Sequence, residues 1–279
     1  MDDVEQKWRF LGRRSRSYWM LALVLFVGFL LIRKVSRSIL FPTEYVYSTA
    51  TVPDLDGLET FFIENDGAKV DVFFLKSDSE KAKSGVVFYA HGNAESIDDS
   101  MYRMRKYTKL GYHVVLIEYR GYGRSTGSPS EENIRADYVS AYKKIIQRED
   151  VDTSKIIYHG RSLGGGVICA LANLRPPNVL ILESTFTSVE AMADTLFPFA
   201  SKLVVDPFRS LEVVAKLDIP VLVMHGTRDE IIPFSQGKTL VGAAKEGTFI
   251  QYLAGHNDFP PDSKVYWKDI EGFLNTAFK

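Results

Sequence analysis

The chain has 279 residues, 46% hydrophobic and 25% charged, which is ample for a packed core and excludes disorder as its main description. A single cysteine, Cys169, excludes disulfide frameworks and cysteine-based zinc sites, and a net charge of −1 gives no global basic field for nucleic acid. The charge is unevenly spread: residues 1–41 hold eight Lys/Arg against three Asp/Glu, and the remainder 26 against 32.

The basic head contains fifteen uncharged residues, Tyr18 to Ile32, preceded by Arg13, Arg14 and Arg16 and followed by Arg33, Lys34 and Arg37. A membrane span needs ~20 apolar residues on average. The Tyr18–Trp19 pair suits one interface, and snorkelling arginines extend the effective length at both ends. No small-residue cleavage pattern follows, so the run reads as an uncleaved single-pass anchor rather than a signal peptide. The competing assignment is a buried core helix, which such a uniform apolar run beside a basic terminus disfavours. Residues 1–41 are therefore expected to be head and anchor, with 42–279 a single globular domain. Five Lys/Arg precede the run and three follow it. That bias puts the domain on the non-cytoplasmic side by a narrow margin.

Beyond Pro42, LETFFIE (58–64) and AKVDVFFLK (68–76), joined by Asp66-Gly67, predict an antiparallel hairpin. Short apolar runs follow at 86–90, 112–119, 155–159, 178–184, 219–225 and 248–254. Runs of that length suit strands buried on both faces, hence a parallel sheet. Helical patterns separate them. One opens on a capping box, Ser128-Pro129-Ser130-Glu131, with proline at its first helical position. Another ends at Leu110-Gly111, where a left-handed glycine is wanted. The order predicts a doubly wound α/β domain with an antiparallel leading edge.

The 155–159 run leads into Gly160-Arg161-Ser162-Leu163-Gly164, and a helical pattern continues from there. G-x-S-x-G between a strand and a helix is the setting of a nucleophile elbow: the tight turn lifts the serine hydroxyl over the sheet, and small neighbours avoid collision. The Leu163 amide, at the helix start, could hold a developing oxyanion. The alternative is a glycine-rich helix start with an N-capping serine.

Serine needs a base at neutral pH. His113 and His159 lie in apolar strand runs and read as structural. His256 lies in a loop after the last strand, in Gly255-His256-Asn257-Asp258, and fits the chain order serine, acid, histidine. The acid is expected at Asp229, beyond the 219–225 strand. Glu230 and Glu183 compete for that role, and Asp258 is too near His256 in sequence. A second oxyanion donor is expected in His91-Gly92-Asn93-Ala94, from the amide of Asn93 or Ala94, with Gly92 permitting a strained turn.

These motifs resemble the α/β-hydrolase superfamily, and most nearly its single-pass membrane-anchored branch with GRSLGG at the nucleophile. The likeness spans about 57–275 and includes HGNA (91–94), YRGYGRSTGSPSEE (119–132), HGRSLGGG (159–166), HGTRDEIIP (225–233) and GHND (255–258). It implies an α/β-hydrolase fold with a mostly parallel sheet and a short lid. The implied roles are Ser162 as nucleophile, Asp229 as acid, His256 as base, and the Asn93/Ala94 and Leu163 amides as oxyanion donors. Position 93 departs from the HGGG form of lipases.

The lid region, 187–205, contains Met192, Leu196, Phe197, Phe199, Leu203 and Val204. These either pack a core-facing helix or form an apolar rim for an acyl chain. The expected activity is hydrolysis of a hydrophobic carboxylic ester or thioester, without metal or cofactor. The lipid bilayer is the expected partner, and nucleic acid is not. A serine peptidase acting on amides, or an inactive membrane scaffold, are the alternatives.

Overall fold

Asp66 and Gly67 both take left-handed backbone, φ 48° and 77°, the pattern of a two-residue hairpin turn whose twist matches its strands. The turn joins β1 (Leu58–Asn65) to β2 (Ala68–Leu75), with Phe62 opposite Asp71. The remaining strands are β3 (Ser84–Ala90), β4 (Tyr112–Ile117), β5 (Val151–Arg161), β6 (Val179–Glu183), β7 (Pro220–Gly226) and β8 (Glu246–Tyr252). They form one sheet in the order β1-β2-β4-β3-β5-β6-β7-β8. The pairs β1–β2 and β2–β4 are antiparallel and every later pair is parallel. The computed structural model describes residues 22–24, 26–46, 52–81 and 83–279.

Strand alternation divides the core between the two faces of this sheet. Val86, Phe88 and Ala90 of β3 join one cluster with Ile134 and Tyr138 of α4 (Glu131–Ile145) and Val167 of α5 (Leu163–Ala172). Val87 and Tyr89 point the other way, toward Met101 of α2 (Ile97–Met104) and Tyr266 and Ile270 of α9 (Ser263–Ala277). A short α3 (Lys106–Lys109) precedes β4, and Gly111 is left-handed there as expected, at φ 86°. The chain winds from β3 outward to β4, then crosses back to β5 on the other side. The β3/β5 boundary is thus a topological switch point, where open α/β sheets form a crevice at the carboxyl ends of their strands. Ala90 pairs with Gly160 at that boundary.

Two expectations need correction, and the lid, left open between two readings, divides between them. Helix α4 is capped by Ser130, whose hydroxyl accepts from the Asn133 amide, so Pro129 lies before the helix. The cap moves because Glu131 is engaged elsewhere: its carboxylate accepts from the Phe208 amide and its own amide donates to Asp206. Strand β8 is an edge with mostly exposed or half-buried residues, not a strand buried on both faces. In the lid one residue takes the core-facing role and most of the apolar ones do not. Met192 of α6 (Val189–Leu196) contacts the core, but Leu196, Phe197 and Leu203 are exposed and Phe199 is 75% exposed.

Part of the expected anchor, 18–21 and residue 25, lies outside the described residues. Among the described residues no helix is long and apolar enough to cross a membrane. A helix, α1, covers 22–24 and 26–40, with Leu23, Val24, Phe26, Phe29 and Leu31 exposed. Its end is tied to the domain. Arg37 Nε donates to Asp206 at 2.8 Å, and the buried Phe41 ring meets Phe208 edge-on. Phe41, the last residue of the expected head segment, thus packs in the domain core.

Candidate active site

Ser162 sits where β5 ends and α5 begins, with φ 52° and ψ −119°. A non-glycine residue there stores on the order of 1–3 kcal/mol of backbone strain. Contacts explain the flanking glycines: a Cβ on Gly160 would lie 2.3 Å from the Gly164 carbonyl oxygen, and one on Gly164 only 2.0 Å from that of Ala90. The Ser162 hydroxyl makes no capping hydrogen bond to α5. It lies instead 3.1 Å from His256 Nε2.

His256 Nδ1 lies 2.8 Å from Asp229 Oδ2. With the proton on Nδ1 donated to the carboxylate, Nε2 is left with a lone pair to accept from the serine, the tautomer a general base requires. Asp229 Oδ1 accepts from the amides of Ile231 and Ile232 at 3.0 and 2.7 Å. Burial pushes the Asp229 carboxyl up, but hydrogen bonds from His225, His256 and the Ile232 amide outweigh it and hold the group well below the usual range. Sequence reasoning assigned nothing to His225, whose Nε2 lies 2.9 Å from the Ile232 carbonyl and 3.3 Å from Asp229 Oδ2. Ser162 is 9% and His256 5% exposed, so both side chains lie largely below the surface.

The Leu163 amide occupies the first position of α5, where helical geometry leaves it without an intrahelical acceptor. The 91–94 turn follows β3 beside it. Tyr119 donates to the His91 carbonyl at 2.6 Å, Tyr122 to that of Asn93 at 2.8 Å, and His91 Nε2 lies 2.9 Å from the buried Glu118. Gly92 is not left-handed, contrary to the strained turn expected there; a Cβ at this position would lie 3.3 Å from Glu95 Oε1. Among the described residues no cluster of His, Cys, Asp and Glu could hold a metal ion.

Residues 81–214 match the family described as "Serine aminopeptidase, S33". The Arabidopsis thaliana "Alpha/beta hydrolase domain-containing protein WAV2" is 31% identical over 90% of this chain and 93% of its own length. The chain belongs to the α/β-hydrolase family. "Protein bem46" of Schizosaccharomyces pombe is 29% identical over 90% of this hydrolase and 87% of itself. Among solved structures, an α/β hydrolase from Vibrio vulnificus superposes with a TM-score of 0.70 at 19% identity, covering 87% of this chain and 93% of that one. Est1E from Butyrivibrio proteoclasticus, solved with ferulic acid, gives 0.69 at 16% identity over 78% and 99%.

The acids that compete with Asp229 in the hydrolase's sequence are committed to other contacts. Glu230 Oε2 accepts from the His256 amide at 3.2 Å, and Asp258 accepts from the Gly255 amide. Glu183 accepts from Tyr266 at 2.7 Å and from Arg103 at 3.1 Å, and lies 3.1 Å from Arg161 Nε. His113 accepts from the Ser77 amide through Nδ1, with Nε2 on the Asp150 carbonyl, and burial lowers its pKa. His159 is likewise buried and lowered, with Tyr107 at Nδ1. Both are structural, as expected. Glu118, Glu95 and the Arg161 contacts were not anticipated. The visible hint was the arginine inside G-x-S-x-G, a position that needs no cation for the turn itself.

Proposed function

We propose that this protein is a serine hydrolase that cleaves a carboxylic ester or thioester with an apolar acyl group. The observation that carries this reading is the relay Ser162–His256–Asp229, assembled at a strained strand-to-helix turn. Ser162 Oγ attacks the acyl carbon as His256 Nε2 takes its proton. The amides of Leu163 and of Asn93 or Ala94 receive the oxyanion. Collapse expels the alkoxide or thiolate, which takes the proton back from His256, and an acyl-serine remains. A water activated by the same imidazole then releases the acid and restores the serine.

The apolar acyl group is inferred from the rim. Ile231 and Leu253, on the loops that carry Asp229 and His256, are exposed, as are Leu196, Phe197, Phe199 and Leu203 of the lid. We place the enzyme at a membrane through its uncharged 18–32 run, to which the exposed apolar residues of α1 add. The family's description favours a second reading, an aminopeptidase. Receiving a substrate ammonium needs a carboxylate near the triad, and Glu230 and Asp258, each exposed and holding one loop amide, are the groups that reading would use.

The test is turnover of a matched panel of esters, thioesters and aminoacyl amides, with acyl chains from two to sixteen carbons, by wild type and Ser162→Ala. Ester or thioester turnover that rises with acyl length and vanishes in the variant supports the proposal. Preference for aminoacyl amides turns it toward the peptidase. Carbonate extraction addresses the membrane: an anchored chain stays in the pellet, and release removes that part of the reading.

A further inference from the structure

The guanidinium of Arg161 faces two loops and the last residue of β6 at the carboxyl end of the sheet. Nη1 pairs with Glu95 Oε1, Nη2 donates to the His256 carbonyl at 2.9 Å, and Nε lies 3.1 Å from Oε1 of the buried Glu183. Glu95 turns its other oxygen to the Gly92 amide at 3.2 Å, one residue before the Asn93/Ala94 oxyanion turn. The arginine itself immediately precedes Ser162. One planar fork therefore links the chain that bears the nucleophile, the backbone of the base, and the turn for the oxyanion.

The backbone of His256 is held on both sides, its amide by Glu230 and its carbonyl by Arg161. Charge is balanced as well: Arg103 and Arg161 face Glu183 and Glu95. A strut built only for stability would need no hydrogen bond to the carbonyl of the base, nor a carboxylate tied to the turn beside it.

We infer that Arg161, acting with Glu95, is a positioning residue that fixes His256 and the oxyanion turn relative to Ser162. The inference rests on the serine-hydrolase reading above. Lysine cannot replace this fork, because its single ammonium cannot reproduce two separate nitrogens donating to Glu95 and to the His256 carbonyl while a third faces Glu183. Misplacing a reacting group by about 1 Å can cost on the order of 10²-fold in rate.

The test is a double-mutant cycle on the full chain, read as kcat and KM for p-nitrophenyl butyrate alongside the melting temperature. Arg161→Lys should lower kcat on the order of 10²-fold with little change in KM. Glu95→Gln, at a side chain 25% exposed and away from Glu183, should fold normally and still lower kcat. In the double variant the Glu95 change should add almost nothing, because the strut is already broken. Wild-type kcat in Glu95→Gln, or losses that multiply independently and follow only the melting temperature, would overturn the inference. If Arg161→Lys fails to fold, Glu95→Gln alone decides it. Wild-type turnover that survives Ser162→Ala would instead overturn the hydrolase reading on which it rests.

Discussion

Glu183 and Asp229 follow neighbouring parallel strands, one at the end of β6 and the other just past β7. The side chains of both are fully buried. Burial pushes both carboxyls up, yet both are held well below the usual range. Their partners differ. Glu183 is held down chiefly by Arg103, then by His159 and Arg161, and accepts from Tyr266. Among the described residues Asp229 meets no arginine; its partners there are two imidazoles and two backbone amides. Permanent cations make a carboxylate a fixed structural anion, whereas an imidazole that can gain and lose a proton makes it part of a relay. On the proposed reading the same burial serves two ends, and the choice of partner separates them.

The largest expected effect breaks the relay. Asp229→Asn should fold, because the amide oxygen can still accept from Ile231 and Ile232, but kcat should fall by up to about 10⁴-fold as the imidazole loses its tautomer and counter-charge. Steady-state kinetics with a melting curve checks this. A greater kcat loss in Glu183→Gln would reverse the assignment of the two acids.

Glu183→Gln should act first on stability. It leaves two cations facing a neutral amide, and breaking a buried pair costs about 3 kcal/mol or more. For a domain of this size that is roughly 6–12 °C in melting temperature. Denaturant titration at several pH values sharpens the point. A carboxyl whose folded pKa is depressed stabilises above its unfolded value and loses that contribution as pH falls. The gap between wild type and Glu183→Gln should therefore hold steady from pH 8 to about 5 and close below the ordinary value of 4.5. A gap that widens in acid would show that Glu183 is not ionised in the fold.

Glu230→Gln should do least. The side chain is exposed and its amide oxygen can still accept from the His256 amide, so kcat should stay within about twofold, or ~0.5 kcal/mol. A hundredfold loss would show that its charge, not its geometry, matters.

Residues that act through local chain geometry were legible in the sequence. Ser162 needed only a strand, a turn with glycines and a helix in succession. His256 and Asp229 followed from strand ends in the expected order, with Glu230 and Glu183 still open as the acid. The hairpin at Asp66-Gly67 and the glycine at 111 follow from backbone conformation alone. Contacts between distant segments were not legible. Arg161 meets Glu95 and the His256 carbonyl across 66 and 95 residues. Nothing in the local pattern marks such partners. The cap of α4 moved for the same reason, since Phe208 and Asp206 compete for Glu131 from 77 and 75 residues away. The lid was ambiguous because an apolar run reads alike whether it faces a core or a substrate.

The central claim is that Ser162 is a nucleophile activated by His256. Its most direct test is reaction of the full-length protein with a fluorophosphonate, followed by mass spectrometry of the labelled peptide. We expect one adduct, on Ser162, that is lost in Ser162→Ala and strongly slowed in His256→Ala. A wild-type chain that takes no label, or one labelled equally after either substitution, would contradict the account and leave a hydrolase fold without hydrolase chemistry.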